Sequence, residues 1–188
     1  MRKYILSFSF LLFLAYTLSF QTASSRTGQP DAGNTKDPVN NQSCARSGCH
    51  STYGFFNASR ANVTIGTTSG NQVPIYGFQY TPGTAYVINF TVPNSSKPGF
   101  SMSALTPSNA NAGTFAVTNS TNTSLLTQGG ISYIGHKSAN SNNTWSFNWT
   151  APATNVGNIT FYSAVNKSNA LSTSSGDCAC HAGSCACA

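Results

Sequence analysis

Trp145-Ser146-Phe147-Asn148-Trp149-Thr150 alternates bulky aromatic and small polar residues without a break. Successive side chains of a strand point to opposite faces, so this period of two reads as a half-buried strand and not as a helix. The three rings read most simply as core packing. Thr84 to Val92 repeats the pattern, with Tyr86, Ile88, Phe90 and Val92 on one face. Working outward, the same grammar covers Val63 with Ile65, Val73 to Phe78, Phe100 with Met102 and Ala104, Thr114 to Thr118, Ile131 to Ile134, and Ile159 to Val165. Gly, Pro and Asn stand between nearly all of these runs, and nothing after residue 26 shows helical periodicity. Short strands at a spacing of roughly 10 to 15 residues predict an all-β protein, a β-sandwich of about eight or nine strands.

The chain has 188 residues, room for about one domain once a leader is set aside. Only 6% of its residues are charged, against roughly 25% in an average soluble protein, and Asn, Ser, Thr and Gly are abundant. Met1 to about Ser25 reads as a secretory signal: Arg2 and Lys3 supply the charged start, and Tyr4 to Tyr16 is an apolar core too short for a comfortable membrane span. No second apolar span follows, so the expected product is exported, to the periplasm, the cell surface or the extracellular space. With Arg2 and Lys3 removed, seven basic and three acidic residues leave a net charge of about +4. The basic residues are scattered and form no stripe, which argues against nucleic-acid binding.

Residues 26–59 form an extended lead-in: Arg26 to Gln42 is rich in Gly, Pro, Asn and Asp, lacks apolar periodicity, and is expected to be a linker without a core of its own. It carries Ser43-Cys44-Ala45-Arg46-Ser47-Gly48-Cys49-His50, where two thiols and an imidazole stand together. Two cysteines followed at once by a histidine is the pattern of c-type haem attachment, in which the thiols bond the vinyl groups and the histidine ligates iron. The usual spacer is two residues and here it is four. A Cys44–Cys49 disulfide loop in an exported chain, with His50 a bystander, explains the same residues, as does another metal.

If haem is held by Cys44, Cys49 and His50, a second iron ligand has few sources. His136 closes Ile131-Ser132-Tyr133-Ile134-Gly135-His136 at a predicted strand end, where a side chain can project from the rim of a sandwich, and is the candidate distal ligand. Met102 is weaker, since its alternation with Phe100 and Ala104 reads as core. Residues 178–188 place Cys178, Cys180, His181, Cys185 and Cys187 in eleven residues. Cys180 and Cys185 repeat the four-residue spacing, but Ala186 stands where a haem-ligating histidine would be, so a second haem is disfavoured. Closely spaced thiolates with a histidine suit zinc or copper(I), and two disulfides or crosslinks between chains suit an exported tail equally well.

The runs Lys97-Pro98-Gly99-Phe100, Ala112-Gly113-Thr114-Phe115, Trp145 to Pro152, Gly157-Asn158-Ile159-Thr160-Phe161-Tyr162 and Ser175-Gly176-Asp177 resemble the Reeler (reelin-type) domain, and more closely its bacterial exported, choice-of-anchor subgroup. In that group a Thr-Gly-x-Pro segment and a Cys and Cys-His element precede the sandwich, matched here by Thr27-Gly28-Gln29-Pro30 and Cys44 to His50. The resemblance covers about Arg26 to Asp177 and implies a Reeler, immunoglobulin-like sandwich over residues 60–177. It departs after Asp177, where a further strand and an anchoring module are usual and the Cys-rich tail stands instead.

No catalytic apparatus emerges. Asp31, Asp37 and Asp177 are the only carboxylates, and two of them fall in the lead-in, so no paired-carboxylate or triad chemistry assembles. The expectation is therefore a non-enzymatic protein. Either it carries one haem c at Cys44, Cys49 and His50 and exchanges electrons with a redox partner protein or neighbouring copies of itself, or it is a disulfide-stapled surface or matrix domain whose sandwich binds a protein or glycan. The resemblance favours haem, because a disulfide does not require His50.

Overall fold

A computed structural model describes residues 28–44, 61–138 and 143–167, together with the backbone of two strands in the tail. The expected leader, Cys49, His50 and Asp177 lie outside the described residues. Nine strands build the sandwich: β1 Asn62–Gly66, β2 Val73–Pro74, β3 Ala85–Thr91, β4 Gly99–Leu105, β5 Thr114–Val117, β6 Thr123–Gln128, β7 Ile131–His136, β8 Thr144–Thr150 and β9 Thr160–Lys167. In the tail, β10 Cys178–His181 and β11 Ser184–Cys187 follow. They form two sheets, in the orders β2-β1-β3-β8-β5 and β11-β10-β9-β4-β7-β6, and every pairing is antiparallel.

The alternation that predicts β8 and β3 also pairs them. Trp149 lies opposite Tyr86, Phe147 opposite Ile88 and Trp145 opposite Phe90, so all six apolar side chains share one face, and all are buried. Phe100 of β4 meets that face from the other sheet, with ring centroids 4.6 Å from Phe90, 4.8 Å from Trp145 and 5.7 Å from Phe147. Large rings in offset and tilted contact dominate the energetics of such a core. Met102 is 1% exposed and belongs to it, as its alternation predicts.

Three elements differ from the sequence expectation. β6 is additional: Leu125 and Leu126 are adjacent and break the alternation, yet the strand pairs along its whole length with β7 across Gly129-Gly130. Both glycines have positive φ, 58° and 78°, the conformation a tight hairpin turn demands. The run expected from Val73 to Phe78 pairs only at Val73–Pro74, and Gly77, at φ 74°, turns the remainder away from the sheet. The tail does not stop short: β10 pairs with β9, and β11 pairs with β10, extending the sheet.

The lead-in also departs from its expected role. Its described part lies across the outer face of β4, β6 and β7 and buries a second, smaller core, in which Ala32 packs with Leu105, Leu126, Ile131, Tyr133 and Tyr162. All seven residues of β4 are consequently buried, because its two faces are both covered. Phe100→Ala removes the ring that joins the sheets and should lower unfolding free energy by about 3–5 kcal/mol. Chemical denaturation checks this, and a loss below about 1 kcal/mol would contradict the packing described.

Candidate functional site

The haem-like element is presented by the lead-in, and Asp37 is what fixes the lead-in. The Asp37 side chain is fully buried. Its Oδ1 accepts the backbone N–H groups of Val39 (3.1 Å) and Asn40 (3.0 Å), closing a tight turn that the Asn41 N–H completes on the Asp37 carbonyl at 2.7 Å. Its Oδ2 accepts the Tyr133 hydroxyl at 2.7 Å and the Thr35 hydroxyl at 3.0 Å. Asn40 Nδ2 donates to the Tyr133 oxygen at 2.6 Å, and the Thr35 and Ser103 hydroxyls lie 3.3 Å apart. A buried carboxylate is tolerated only when its lone pairs are met in this way. Burial alone would raise the Asp37 pKa; the hydrogen bonds from Asn40, Tyr133 and Thr35 outweigh it and hold the carboxyl below its ordinary value. Burial and then the adjacent carboxylate push the Tyr133 phenol far above its usual range, so it remains a donor.

Beyond this turn the chain doubles back. Lys36 donates its N–H to the Gln42 carbonyl at 2.7 Å, Thr35 bridges Ser43, and Cys44 Sγ lies 3.8 Å from the Asn34 carbonyl. The lead-in thus delivers a partly buried Cys44 at a fixed place on the outer face of the six-stranded sheet. The Asn34 Oδ1 is buried and has no hydrogen-bond partner among the described residues. Cys49 and His50, the other two members of the element, lie outside the described residues.

His136 is placed elsewhere. Tyr133 and Ile131 face the lead-in, whereas Ile134 belongs to the main core, and His136 follows the parity of Ile134 toward the space between the sheets. Its ring centroid is 6.5 Å from that of Trp145. Nδ1 is 3.0 Å from both the N–H and the carbonyl of Phe100. It does not project from the rim. Gly99 permits this placement, since a Cβ there would come within 2.6 Å of the imidazole. Burial lowers the His136 pKa, only partly offset by hydrogen bonds to the backbone of Phe100 and Gly28.

In the tail, the register sets Cys178 opposite Cys187, Cys180 opposite Cys185, and His181 opposite Ser184. Directly opposed residues of an antiparallel pair have Cα atoms about 4.5–5.5 Å apart, within the range a disulfide spans. Among the described residues no group of three or more His, Cys, Asp or Glu forms a metal site. Sequence reasoning missed Asp37, Tyr133, Thr35 and Asn40. The signal available was Asp37-Pro38-Val39-Asn40-Asn41, a turn composition headed by an Asx residue able to bond the backbone two positions on.

Fold and site together define an antiparallel two-sheet sandwich with an N-terminal strap locked to one outer face. The Reeler domain family model matches residues 64–171, and the chain belongs to that family. The match starts within β1, so the strap and Cys44 lie before it. Among solved structures, the Reelin-N domain of F-spondin is similar at 19% identity and a TM-score of 0.46, covering 57% of this chain and 72% of that one. A human F-spondin reeler domain fragment is similar at 16% identity and a TM-score of 0.46, with coverages of 61% and 79%. No curated protein matches the sequence. Reeler membership supports a surface or binding role, and among the described residues no helix is long and apolar enough to cross a membrane.

Both titrations destabilise in acid. The depressed Asp37 pKa gives stability that is present above the unfolded value of 3.8 and lost as pH falls through the folded one. The depressed His136 pKa has the same sign, with loss setting in below the unfolded value of 6.5. Unfolding free energy measured against pH should therefore fall in two stages, with Asp37→Asn flattening the lower and His136→Gln the upper. A pH dependence identical in both variants and the parent would contradict these assignments.

Proposed function

We propose that this chain is an exported, non-enzymatic Reeler sandwich that carries one haem c on Cys44 and Cys49, with His50 as an iron ligand, and serves extracytoplasmic electron transfer. The observation that carries the reading is the strap itself. A segment pinned by a buried carboxylate and folded back on Thr35 and Ser43 holds the first thiol of the element in a defined position. A disulfide loop on a loose linker would need no such support. The similarity to the choice-of-anchor subgroup, with its Cys and Cys-His element, points the same way.

The donor set fits haem. Cys44 and Cys49 would hold the group covalently through thioether bonds to its two vinyl groups. His50 would supply a ring nitrogen to the iron. Bound haem supplies one-electron redox chemistry. The strap holds Cys44, and His136, whose Nδ1 is engaged with the Phe100 backbone, belongs to the fold and not to the iron in this reading. The electron partner is a redox protein or a neighbouring copy of the chain.

A second reading is favoured by a separate observation, an aromatic cleft at one end of the sandwich. Here the protein is a surface or matrix binding domain, Cys44 and Cys49 form a disulfide, and the opposed tail cysteines pair likewise. In both readings the tail is a cysteine ribbon of disulfides or of soft-metal ligands.

The two are separated by expressing the full chain in a host with working haem-attachment machinery. The haem reading expects a red product with a Soret band that survives acid–acetone extraction. Cys49→Ala should weaken covalent retention, His50→Ala should shift the spectrum, and His136→Gln should leave it unchanged. A colourless parent protein overturns the haem reading.

A further inference from the structure

We propose that the cleft between the segment after β2 and the β8–β9 connection binds a neutral glycan. It encloses about 680 Å³, within the span usual for small-ligand sites. Tyr80, Trp149 and Phe161 form a braced floor: Trp149 stands edge-on to Tyr80, with centroids 6.2 Å apart, and edge-on to Phe161 at 5.1 Å. Tyr76, which also lines the cleft, is 97% exposed. One exposed ring is unremarkable on any surface; an exposed ring on the lining of a cleft that also holds three mutually packed aromatic rings offers a face for stacking.

The rim has hydrogen-bonding capacity to spare. Asn155 Oδ1 is occupied, accepting the Tyr80 hydroxyl at 3.1 Å and the Gly157 N–H at 2.9 Å. That fixes the amide and leaves its Nδ2 without a partner among the described residues. The side chain of Asn158 and the hydroxyl of Tyr76 likewise have none among them. Aromatic faces suit the C–H faces of pyranose rings, and amides suit their hydroxyls. No lining residue carries charge, so phosphorylated or acidic ligands find no counter-ion there.

The cleft is also shaped by the backbone. Val156 donates its N–H to the Tyr80 oxygen at 2.9 Å, and Tyr80 reaches the Gly157 carbonyl at 3.2 Å, tying the β8–β9 connection to the segment after β2. Walls held this way require little ordering when a ligand enters. The polar rim favours a hydroxyl-rich ligand over a peptide, which would sooner add to a sheet edge.

This inference rests on the binding reading and not on the haem reading. The full chain is run by native affinity electrophoresis in gels containing mannan, laminarin, xylan or hydroxyethylcellulose, with visible absorbance recorded on the same samples. At least one polysaccharide should retard the parent. Tyr76→Ala should weaken that binding about tenfold or more and Asn158→Ala severalfold, while Tyr76→Phe retains most of it. Both side chains are exposed, so these variants fold, and their absorbance should match the parent's. Unchanged mobility of the parent in all four gels, parental retardation of Tyr76→Ala, or capture by immobilised peptides alone would overturn the inference.

Discussion

The bond from the Tyr133 hydroxyl to the Asp37 carboxylate is the constraint on which the arrangement of the N-terminal half depends. It joins a residue of the strap to a central strand of the larger sheet, inside a region closed to water. Asp37 simultaneously caps its own turn, so one carboxylate sets both the local shape of the strap and its docking position. An unmet buried charge is costly, and that cost makes the docked geometry specific. Covering β4 and β7 on a second face follows from it, as does the defined position of Cys44.

The larger core was legible because its strands obey a period of two. Trp145, Phe147 and Trp149 on β8, with Tyr86, Ile88 and Phe90 on β3, needed only the rule that alternate residues share a face. The strap was not legible by the same rule. Its apolar content in the second core is Ala32, and it docks through Thr35, Asp37, Asn40 and Tyr133, a polar network that hydropathy patterns do not register. β6 escaped because an edge strand can carry Leu125 exposed beside a half-buried Leu126 without strict alternation. His136 illustrates the limit at a strand end: parity with Ile134 directs it between the sheets, while position alone suggested the rim.

The sandwich offers two separate places for function. The strap holds Cys44 on one outer face, before the stretch matched by the Reeler model, and the aromatic cleft lies where β8 leads into β9. The two places share no residue. The tail hairpin extends the larger sheet and sets Cys178 opposite Cys187 and Cys180 opposite Cys185.

The most direct measurement is the mass of the proteolytic peptide spanning Cys44 to His50, taken from protein matured with its leader in a haem-attaching host. The account predicts a peptide heavier by one haem, with fragmentation placing thioethers on both Cys44 and Cys49. A peptide lighter by two hydrogens, as a Cys44–Cys49 disulfide requires, would contradict it.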